Sequence, residues 1–389
     1  DPVEEWEIRR VTFGVSSSPF LAQRVLKQLA SDEGDSFPLA SRAVRESIYI
    51  DDFLTGADSE EEAISLRDEL ISLLQSGGFQ LGKWASSSSS LLEGLSLDPK
   101  EFVPQDSSAV KVLGLWWNPV EDVFQYRIDA TPGPATKREV LSRIARTYDF
   151  NGYLSPVIFA MKTILQELWK SNRGWDDPLP SDIHARWEEI LQELPLLESV
   201  SIPRYILSDS WFRAQLIGFS DGSSLGMGAV LYLRLETNVG IFTHILKSKT
   251  KVAPLHTWTI PRLELGAACL LAKLIRTSLP ISSTLSVDRI ICFSDSTTVL
   301  SWIRTPPYLL KMFVSNRVTR ILEDCPDASW RHVCGQYNAA DPASRGLLPS
   351  QLIASSIWWH GPDFLRQPME LWPAQPSLDV ADLPEIRRP

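Results

Sequence analysis

The clearest pattern in the chain is an alternation of apolar and small residues over 214–233, which reads AQLIGFSDGSSLGMGAVLYL. A first apolar run ends at an acid, Asp221, and small residues at 222–224 separate it from a second apolar run. Two such runs joined by a Gly/Ser turn predict a β-hairpin. Asp221 is therefore expected on the first strand, just before the turn.

The segments after this hairpin alternate between strand and helix patterns. Residues 239–248 predict a third strand, and leucines at helical spacing after Pro261 predict a helix that starts just before Glu264. Residues 290–293 form a continuous apolar run, which is typical of a strand buried on both faces. Residues 328–333 predict the last strand. The pattern indicates a domain of mixed α/β class.

The first 130 residues carry shorter patterns. Residues 12–30 combine a Gly/Ser turn with helical spacing, and residues 57–76 predict a helix capped by Asp58 or Ser59. Between them, a β-rich run at 48–50 precedes Asp51 and Asp52. The simplest interpretation of these two acids is a hairpin turn, because Asp favours turns. Adjacent acids at a hairpin tip also bind metal ions in nucleotidyl transferases.

The middle of the chain predicts strands and then helices. Two strands around an Asn-Pro turn are expected over 112–126, and residues 131–134 (Thr-Pro-Gly-Pro) form the clearest linker. Helical spacing follows over 137–148, 156–169 and 181–191. The first of these helices carries four basic residues: Lys137, Arg138, Arg143 and Arg146. A solvated helix face and a phosphate-contacting surface both remain open as interpretations.

Composition narrows the classes of function. The chain has 389 residues, which suggests two or three domains, with 44% hydrophobic and 22% charged residues, as in globular proteins. No apolar run is long enough to span a bilayer, and no basic-then-apolar leader opens the sequence. The four cysteines include no CxxC pair, which favours reduced thiols inside a cell over a zinc site. The net charge of −10 argues against nucleic-acid binding by the whole surface, but not against a local basic groove.

Four acids stand at the edges of predicted elements: Asp221, Glu264, Asp295 and Asp341. Individually, Glu264 in the opening turn of its helix would complement the helix dipole, and Asp295 and Asp341 would cap helices. Together, at element ends that can converge, they favour one shared site. Carboxylates are hard oxygen ligands, so such a site suits Mg²⁺ or Mn²⁺.

The order of these acids resembles the ribonuclease H family over about residues 212–346. The phrase NAADPASRG at 338–346 resembles the version in retrotransposons, including BEL/Pao elements. The resemblance implies a mixed five-stranded sheet flanked by helices. It also implies endonucleolytic hydrolysis of the RNA strand of RNA–DNA hybrids by two Mg²⁺ or Mn²⁺ ions about 3.5–4 Å apart, with selectivity for the 2′-hydroxyl.

The same resemblance implies roles for single residues. Asp221 would bridge both ions, with Glu264 and Asp295 on one side and Asp341 on the other. Three further residues are implied to lie beside nucleic acid or metal: Ser223, Ser296 and Arg345. The family often has a mobile His before its last acid; His332 lies near that place, but its sequence context favours the last strand.

A second resemblance covers the first part of the chain. FGVSSSPF at 13–20, YIDD at 49–52 and FQLGKW at 79–84 resemble, in this order, the reverse transcriptases of retrotransposons. It implies that Asp51 and Asp52 form a metal-binding box and that Lys83 lies in a segment supporting the primer. A third carboxylate belongs on an earlier strand, and only the acids at positions 1, 4, 5 and 7 precede FGVSSSPF. We therefore expect a truncated palm that does not polymerise alone.

Two further stretches resemble BEL/Pao polyproteins: residues 135–169, and residues 357–373, which resemble the connector before an integrase. No Asp-Thr-Gly or Asp-Ser-Gly occurs, so an aspartic peptidase is not supported. The expected domains are a truncated reverse-transcriptase palm (1–130), a helical thumb or connection (131–208), a ribonuclease H-like domain (209–348) and an irregular linker toward a missing integrase (349–389).

These observations identify the chain as resembling a fragment of a BEL/Pao-type retrotransposon Pol polyprotein. The expected function is ribonuclease H-type hydrolysis; the alternative is a non-catalytic remnant that binds nucleic acid or protein. The expected partners are an RNA–DNA hybrid or other nucleic acid and the remainder of the polyprotein, with no membrane. The expected location is inside the cell, in the cytoplasm, in virus-like particles or in the nucleus.

Overall fold

The computed structural model of the chain describes residues 11–12, 14–95, 109–112, 114–129, 131–207, 211–283, 285–378 and 383–387. The chain divides into two compact units, Asp1–Val110 with Trp117–Asp122, and Lys111–Trp116 with Val123–Pro389. The start of FGVSSSPF at residue 13, the acids at 1, 4, 5 and 7, and the predicted domain start at 209 lie outside the described residues.

The first unit is built around three helices: α1 (Ser18–Asp32), α2 (Pro38–Glu46) and α3 (Glu60–Ser76). Their apolar sides enclose a small core that includes Ala30, Val44, Leu70 and Leu73. The Ser59 side chain accepts a hydrogen bond from the Glu62 backbone N–H, so α3 begins at Glu60 rather than at the predicted residue 57. The sequence patterns did not predict α2.

A two-residue hairpin follows α2. Its strands, β1 (Ile48–Tyr49) and β2 (Asp52–Phe53), pair antiparallel with Tyr49 opposite Asp52. The turn is therefore formed by Ile50 and Asp51, with Ile50 at a φ of 58°, and not by Asp51 and Asp52 as predicted. Asp51 and Asp52 are both exposed. The predicted Asn-Pro turn does join two strands, in the series β3 (Val110–Val112), β4 (Leu115–Asn118), β5 (Val123–Gln125) and β6 (Ser201–Pro203).

The second unit contains a mixed five-stranded sheet in the order β11-β10-β7-β8-β9. The strands are β7 (Trp211–Gly222), β8 (Gly226–Thr237), β9 (Gly240–Val252), β10 (Val287–Ser294) and β11 (Ala328–His332). The first three form an antiparallel meander, while β10 pairs parallel with β7 and β11 pairs parallel with β10. This sheet confirms the predicted fold class, and its hairpin is the one predicted from the alternating pattern.

Helices cover both faces of this sheet. One face packs against α7 (Ile260–Ser278), α8 (Thr297–Arg304) and α9 (Met312–Asp324), with Leu216, Leu231 and Cys292 from the strands in the shared core. The opposite face has an aromatic centre in which Phe219 stacks on Phe293 with centroids 5.0 Å apart. The remaining helices are α4 (Lys137–Arg146), α5 (Ser155–Lys170), α6 (Ser181–Glu193), α10 (Asp341–Arg345), α11 (Pro349–Ala354) and α12 (Ser356–His360).

The segment predicted as an irregular linker from residue 349 is instead ordered on this second face. It forms α11, α12 and the short 3₁₀ turns Asp363–Arg366 and Met369–Leu371. Trp358 is fully buried, and Trp372 packs with its centroid 5.8 Å from that of Phe293. The aromatic residues that gave this stretch its linker-like appearance are therefore core residues. One hydrophobic core takes residues from 115 to 372, so it extends across the predicted domain boundaries. The four-part division stays a prediction.

The basic residues of α4 are bound within the chain. Arg143 is 2% exposed and donates to the Thr131 carbonyl (2.6 Å) and to Glu139 (2.9 Å). Arg146 pairs with Asp129 at 2.6 Å. Arg138 forms an ion pair with Asp176, and the Lys137 ammonium group lies over the Trp169 ring. These side chains therefore fasten the linker around residues 129–131 to the helix, which neither sequence interpretation anticipated.

Among the described residues, no helix is both long and apolar enough to cross a membrane. The four cysteines are free thiols; Cys292 and Cys325 are buried in the sheet–helix core and Cys334 is exposed.

Candidate active site: a carboxylate cluster at one end of the sheet

Asp221 and Asp295 lie at the same end of the sheet because their strands run parallel. Ser220 of β7 is opposite Ser294 of β10, so the acids that follow them are brought side by side. Asp221 is 4% exposed, while Asp295 directly follows β10. The carboxyl ends of parallel strands are where sites of α/β proteins lie. The sequence-based placement of both acids is therefore reproduced.

Glu264 reaches the same end from α7, through a close approach that depends on Gly222. A Cβ atom at residue 222 would lie 2.4 Å from the backbone nitrogen of Glu264, so only glycine lets β7 and α7 meet here. α7 begins at Ile260 and has no acid in its first turn. The predicted position of Glu264 in the opening turn was therefore wrong by one turn, and a dipole-complementing role does not account for it.

Asp341 is brought in by α10, which crosses the hairpin at a second close approach. A Cβ atom at residue 228 would lie 2.7 Å from that of Ala343, so Gly228 lets α10 rest on β8. Asp341 is the first residue of α10 and Ala340 is its N-cap, so the capping role considered for Asp341 was wrong; Gly346 ends the helix, as predicted. Arg345, one turn later, pairs with Asp341 at 2.5 Å.

Two residues that the sequence analysis missed connect these acids. Asn338 is 1% exposed, and its Nδ2 donates to the Ser220 carbonyl (3.1 Å), Asp295 Oδ1 (3.3 Å) and Asp221 Oδ1 (3.4 Å). Its own Oδ1 accepts from the Ala340 N–H (3.1 Å), which fixes the orientation of the amide. Ser344 is fully buried and donates its hydroxyl to Asp221 Oδ2. Both residues stand in the phrase NAADPASRG, which was the available signal.

The predicted serines serve mainly as local structure. Ser296, not Asp295, caps α8, because its side chain accepts from the Val299 N–H; its hydroxyl donates to Glu264 Oε2. The capping role considered for Asp295 was therefore wrong, and its carboxylate is left for the cluster. Ser223 is 7% exposed and donates to the Ser344 carbonyl at 2.6 Å, which ties the hairpin turn to α10.

The cluster concentrates negative charge. Burial, together with the neighbouring Asp295 and Asp341, raises the pKa of Asp221 to about 6, against the lowering effect of the Ser344 hydrogen bond. Burial also raises the pKa of Glu264 and of Asp295, with Asp295 adding to the effect at Glu264. Asp295 thus lies within electrostatic reach of the other three carboxylates, and a cation among them would be stabilised.

His332 lies in β11, as its context predicted, and is close enough to Asp295 to lower that residue's pKa. Its backbone is held by the Gln375 side chain, which accepts from the His332 N–H at 2.6 Å and donates to its carbonyl at 3.1 Å.

The donor set fits a hard divalent cation, since it consists of carboxylates whose mutual repulsion such an ion would relieve. Within the described part of the chain, however, no three His, Cys, Asp or Glu side chains are already gathered closely enough to hold a metal ion. Ser296, Ser344 and Arg345 each occupy one oxygen of a cluster carboxylate.

The prediction that follows concerns Asn338. Asn338→Ala removes one donor shared by two carboxylates, and loss of a residue that orients metal ligands typically costs about 10–100-fold in metal affinity or activity. We expect Asn338→Ala to need more Mg²⁺ than the parent chain for cleavage of an RNA–DNA hybrid, which a titration of the metal measures. Asn151→Ala, which removes an amide bonded to Tyr153, is the control. An unchanged Mg²⁺ requirement in Asn338→Ala would show that the amide does not organise the acids.

The predicted polymerase-like residues belong to the first unit. Asp51, Asp52 and Lys83 are exposed, and Lys83 has a φ of 57° in an irregular segment after α3. The acids at positions 1, 4, 5 and 7 lie outside the described residues.

Comparison with known proteins gives one family match. Residues 136–296 match the model of the Pao retrotransposon-like RNaseH-like domain, a range that includes Asp221, Glu264 and Asp295. The match confirms the resemblance to BEL/Pao-type retrotransposon polyproteins and the predicted class, a ribonuclease H-like domain. No curated protein matches the chain.

The solved structures that match the chain include a foamy viral protease-reverse transcriptase in complex with an RNA/DNA hybrid, with 16% identity and a TM-score of 0.48. This comparison covers 83% of the present chain, which spans 39% of the viral one. The N-terminal RNase H domain of a Mycobacterium tuberculosis protein, fused to maltose-binding protein, has 12% identity and a TM-score of 0.24, covering 37% of this chain and 99% of that one. RNase H1 of Halobacterium salinarum has 16% identity and a TM-score of 0.23, covering 37% and 98%.

Proposed function

We propose that this chain is part of a BEL/Pao-type retrotransposon Pol polyprotein and that its ribonuclease H-like domain cuts the RNA strand of RNA–DNA hybrids. The observation that carries the proposal is the convergence of Asp221, Glu264, Asp295 and Asp341 at one end of the sheet. Burial and mutual repulsion raise the pKa of three of these acids. A structural cluster of buried acids would be neutralised by cations of the chain, whereas among the described residues only Arg345 forms an ion pair with one of them.

Two Mg²⁺ or Mn²⁺ ions are the proposed cofactors, held by these four carboxylates. When bound, they would supply an activated water and stabilise the leaving 3′ oxygen of an in-line displacement at phosphorus. In this assignment Asp221 would contact both ions, with Glu264 and Asp295 on one side and Asp341 on the other.

The chain's own neighbours of these acids would orient them. Asn338 holds Asp221 and Asp295 in a fixed relation, and Ser344 holds the second oxygen of Asp221. Ser296 directs Glu264 toward the cluster. Arg345 lies in the last turn of α10 and is mostly exposed, so it is placed to exchange Asp341 for a phosphate of the substrate.

In the polymerase-like part, Asp51 and Asp52 are the proposed metal-binding pair of a nucleotidyl-transfer site. The substrate partner of the chain is an RNA–DNA hybrid, and the remainder of the polyprotein is its second partner. We place this activity inside the cell, in the cytoplasm, in virus-like particles or in the nucleus.

Cleavage of three labelled duplexes tests the proposal: an RNA–DNA hybrid, a double-stranded DNA and a double-stranded RNA of one sequence. We expect cuts in the RNA strand of the hybrid only, in Mg²⁺ or Mn²⁺ and not in EDTA, because a 2′-hydroxyl distinguishes the strands. A folded protein that binds the hybrid but cuts nothing with either metal would be the non-catalytic remnant. Cleavage of DNA alone would overturn the assigned substrate.

A further inference from the structure

Three lysines occupy alternate positions on the edge strand β9: Lys247, Lys249 and Lys251. Their partners on β8 are Leu231, Ala229 and Met227, which pack toward α7. Because paired residues of neighbouring strands point to the same face, the three lysines line the α7 side of the sheet edge. Lys249 and Lys251 are exposed and Lys247 is partly buried. We call this row the lysine ladder.

The ladder carries positive charge that the protein does not neutralise. In the described residues, none of the three lysines forms an ion pair, although the chain has a net charge of −10. Lys162 of α5 lies within electrostatic reach of Lys249, and burial and this neighbour lower the pKa of Lys162. By contrast, the arginines of α4 are occupied by acids and carbonyls of the chain.

The ladder begins beside the carboxylate cluster. Asp221 is opposite Gly228, and Gly228 is opposite Thr250, so Thr250 lies in the same row of the sheet as Asp221. Two interstrand spacings of about 4.8 Å place the two backbones about 10 Å apart. Lys249 and Lys251 flank Thr250 and point to the face on which α7 delivers Glu264, whereas Asp221 points to the opposite face, toward α10. The cluster lies at the end of the sheet, where the two faces meet.

We propose that Lys247, Lys249 and Lys251 bind backbone phosphates of the nucleic acid whose scissile phosphate lies at the carboxylate cluster. This inference rests on the proposed function and assigns the path of the substrate strand away from the site. The long lysine side chains act as mobile point charges, so the contacts add affinity and position without reading sequence. The ladder is also the local basic groove that an acidic protein needs in order to hold nucleic acid.

Lysines on an edge strand also protect the edge from pairing with another chain. At the inner end of the ladder this protection is already supplied, because the Ser248 N–H donates to the Asn151 carbonyl at 2.8 Å. A segment of the same chain thus covers the edge between Lys247 and Lys249. Edge protection therefore does not explain why lysines continue on both sides of Ser248.

The test measures binding and cleavage separately. Binding of a fluorescent RNA–DNA hybrid is followed by anisotropy in EDTA over a series of salt concentrations, for the parent chain and for Lys249→Gln/Lys251→Gln. Log affinity falls as log salt rises, and each lost phosphate contact reduces the magnitude of this slope by about one. We expect the slope of the double variant to be shallower than that of the parent by about two. The control variant is Lys170→Gln/Lys273→Gln, which removes two exposed lysines outside the ladder and has the same net charge as the ladder variant. It should keep the slope of the parent.

The outcomes separate the ladder from the proposed function. If the ladder variant shows the same salt slope as the parent, and the parent cleaves the hybrid, the proposed role of the ladder is overturned and the proposed nuclease function stands. If the ladder variant self-associates and its salt slope is unchanged, the lysines protect the edge of the sheet, and their proposed role in phosphate binding is overturned. A parent chain that neither binds nor cuts the hybrid removes both the proposed function and the ladder.

Discussion

Asp221→Asn is expected to reduce cleavage of an RNA–DNA hybrid by at least about a hundredfold, the scale lost when one preorganised electrostatic contact to a reacting group is removed. Asp221 is buried at the end of β7, with 4% of its surface exposed, and lies within electrostatic reach of Asp295 and Asp341. Asparagine keeps its size but removes the charge that would hold a divalent cation. The measurement is single-turnover cleavage in saturating Mg²⁺, with Asp288→Asn, an exposed acid on β10, as the control.

The same substitution is expected to stabilise the fold. Burial raises the pKa of Asp221 to about 6, from an ordinary value of 3.8, so the folded chain holds its proton more tightly than the unfolded chain. Stability contributed by this group is therefore present below about pH 4 and is lost as the pH rises to about 6. Above that pH the ionised carboxylate opposes folding. Asp221→Asn should raise the free energy of unfolding at pH 7 by about 1–2 kcal/mol.

Chemical denaturation at pH 4 and pH 7, without metal, checks this expectation. The gain from Asp221→Asn should be largest at pH 7 and should shrink at pH 4, where the parent residue is already protonated. Added Mg²⁺ should stabilise the parent and not the variant, since ligands that bind the folded state raise its stability. Equal cleavage by the parent and the variant would remove Asp221 from the active site, whatever the stability result.

The sequence contained enough information to locate the four acids, because each follows a strong local pattern. Asp221 ends an alternating run, Asp295 ends a continuous apolar run, and Asp341 precedes a Pro and a helix stop. The parallel pairing of β7 and β10 then brings the first two together without further information. Glu264 was found as a residue, but its helix starts earlier than the pattern indicated, since Pro261 is its second residue.

The connections between the acids could not be predicted, because they join residues far apart in the chain. Asn338 and Ser344 contact Asp221 across more than a hundred residues, and a single Asn or Ser in a loop carries no periodic signal. The tail after residue 349 was misjudged for a related reason. Its Trp, Pro and Phe residues have no helical or strand period, and only the aromatic face of the sheet makes them core residues.

Arg234 presents the largest disagreement between residue type and environment, since its side chain is fully buried in β8. Its guanidinium donates to the carbonyls of Leu365 (2.7 Å) and Gln367 (2.9 Å), and to Gln215 Oε1 (2.6 Å). It also forms an ion pair with Glu236. Two of these partners are backbone groups of the tail, so one arginine fastens the tail to the sheet.

Arg234→Met is expected to destabilise the second unit by about 3–5 kcal/mol, the usual result when one member of a buried charge pair is removed. Methionine fills most of the volume but leaves Gln215 Oε1 and two tail carbonyls without their donor, and leaves Glu236 with Arg213 as its remaining partner. The midpoint of denaturant unfolding measures the loss, and limited proteolysis should cut the tail within 349–378 more readily. Arg213→Gln, which removes an exposed partner of the same Glu236, should cost less than about 1 kcal/mol.

If the two variants unfold at the same midpoint and the tail stays protected, the aromatic packing of Trp358 and Trp372 holds the tail without Arg234. If only Arg234→Met releases it, the loosened backbone also frees His332 from Gln375, beside Asp295, and hybrid cleavage should fall with the tail.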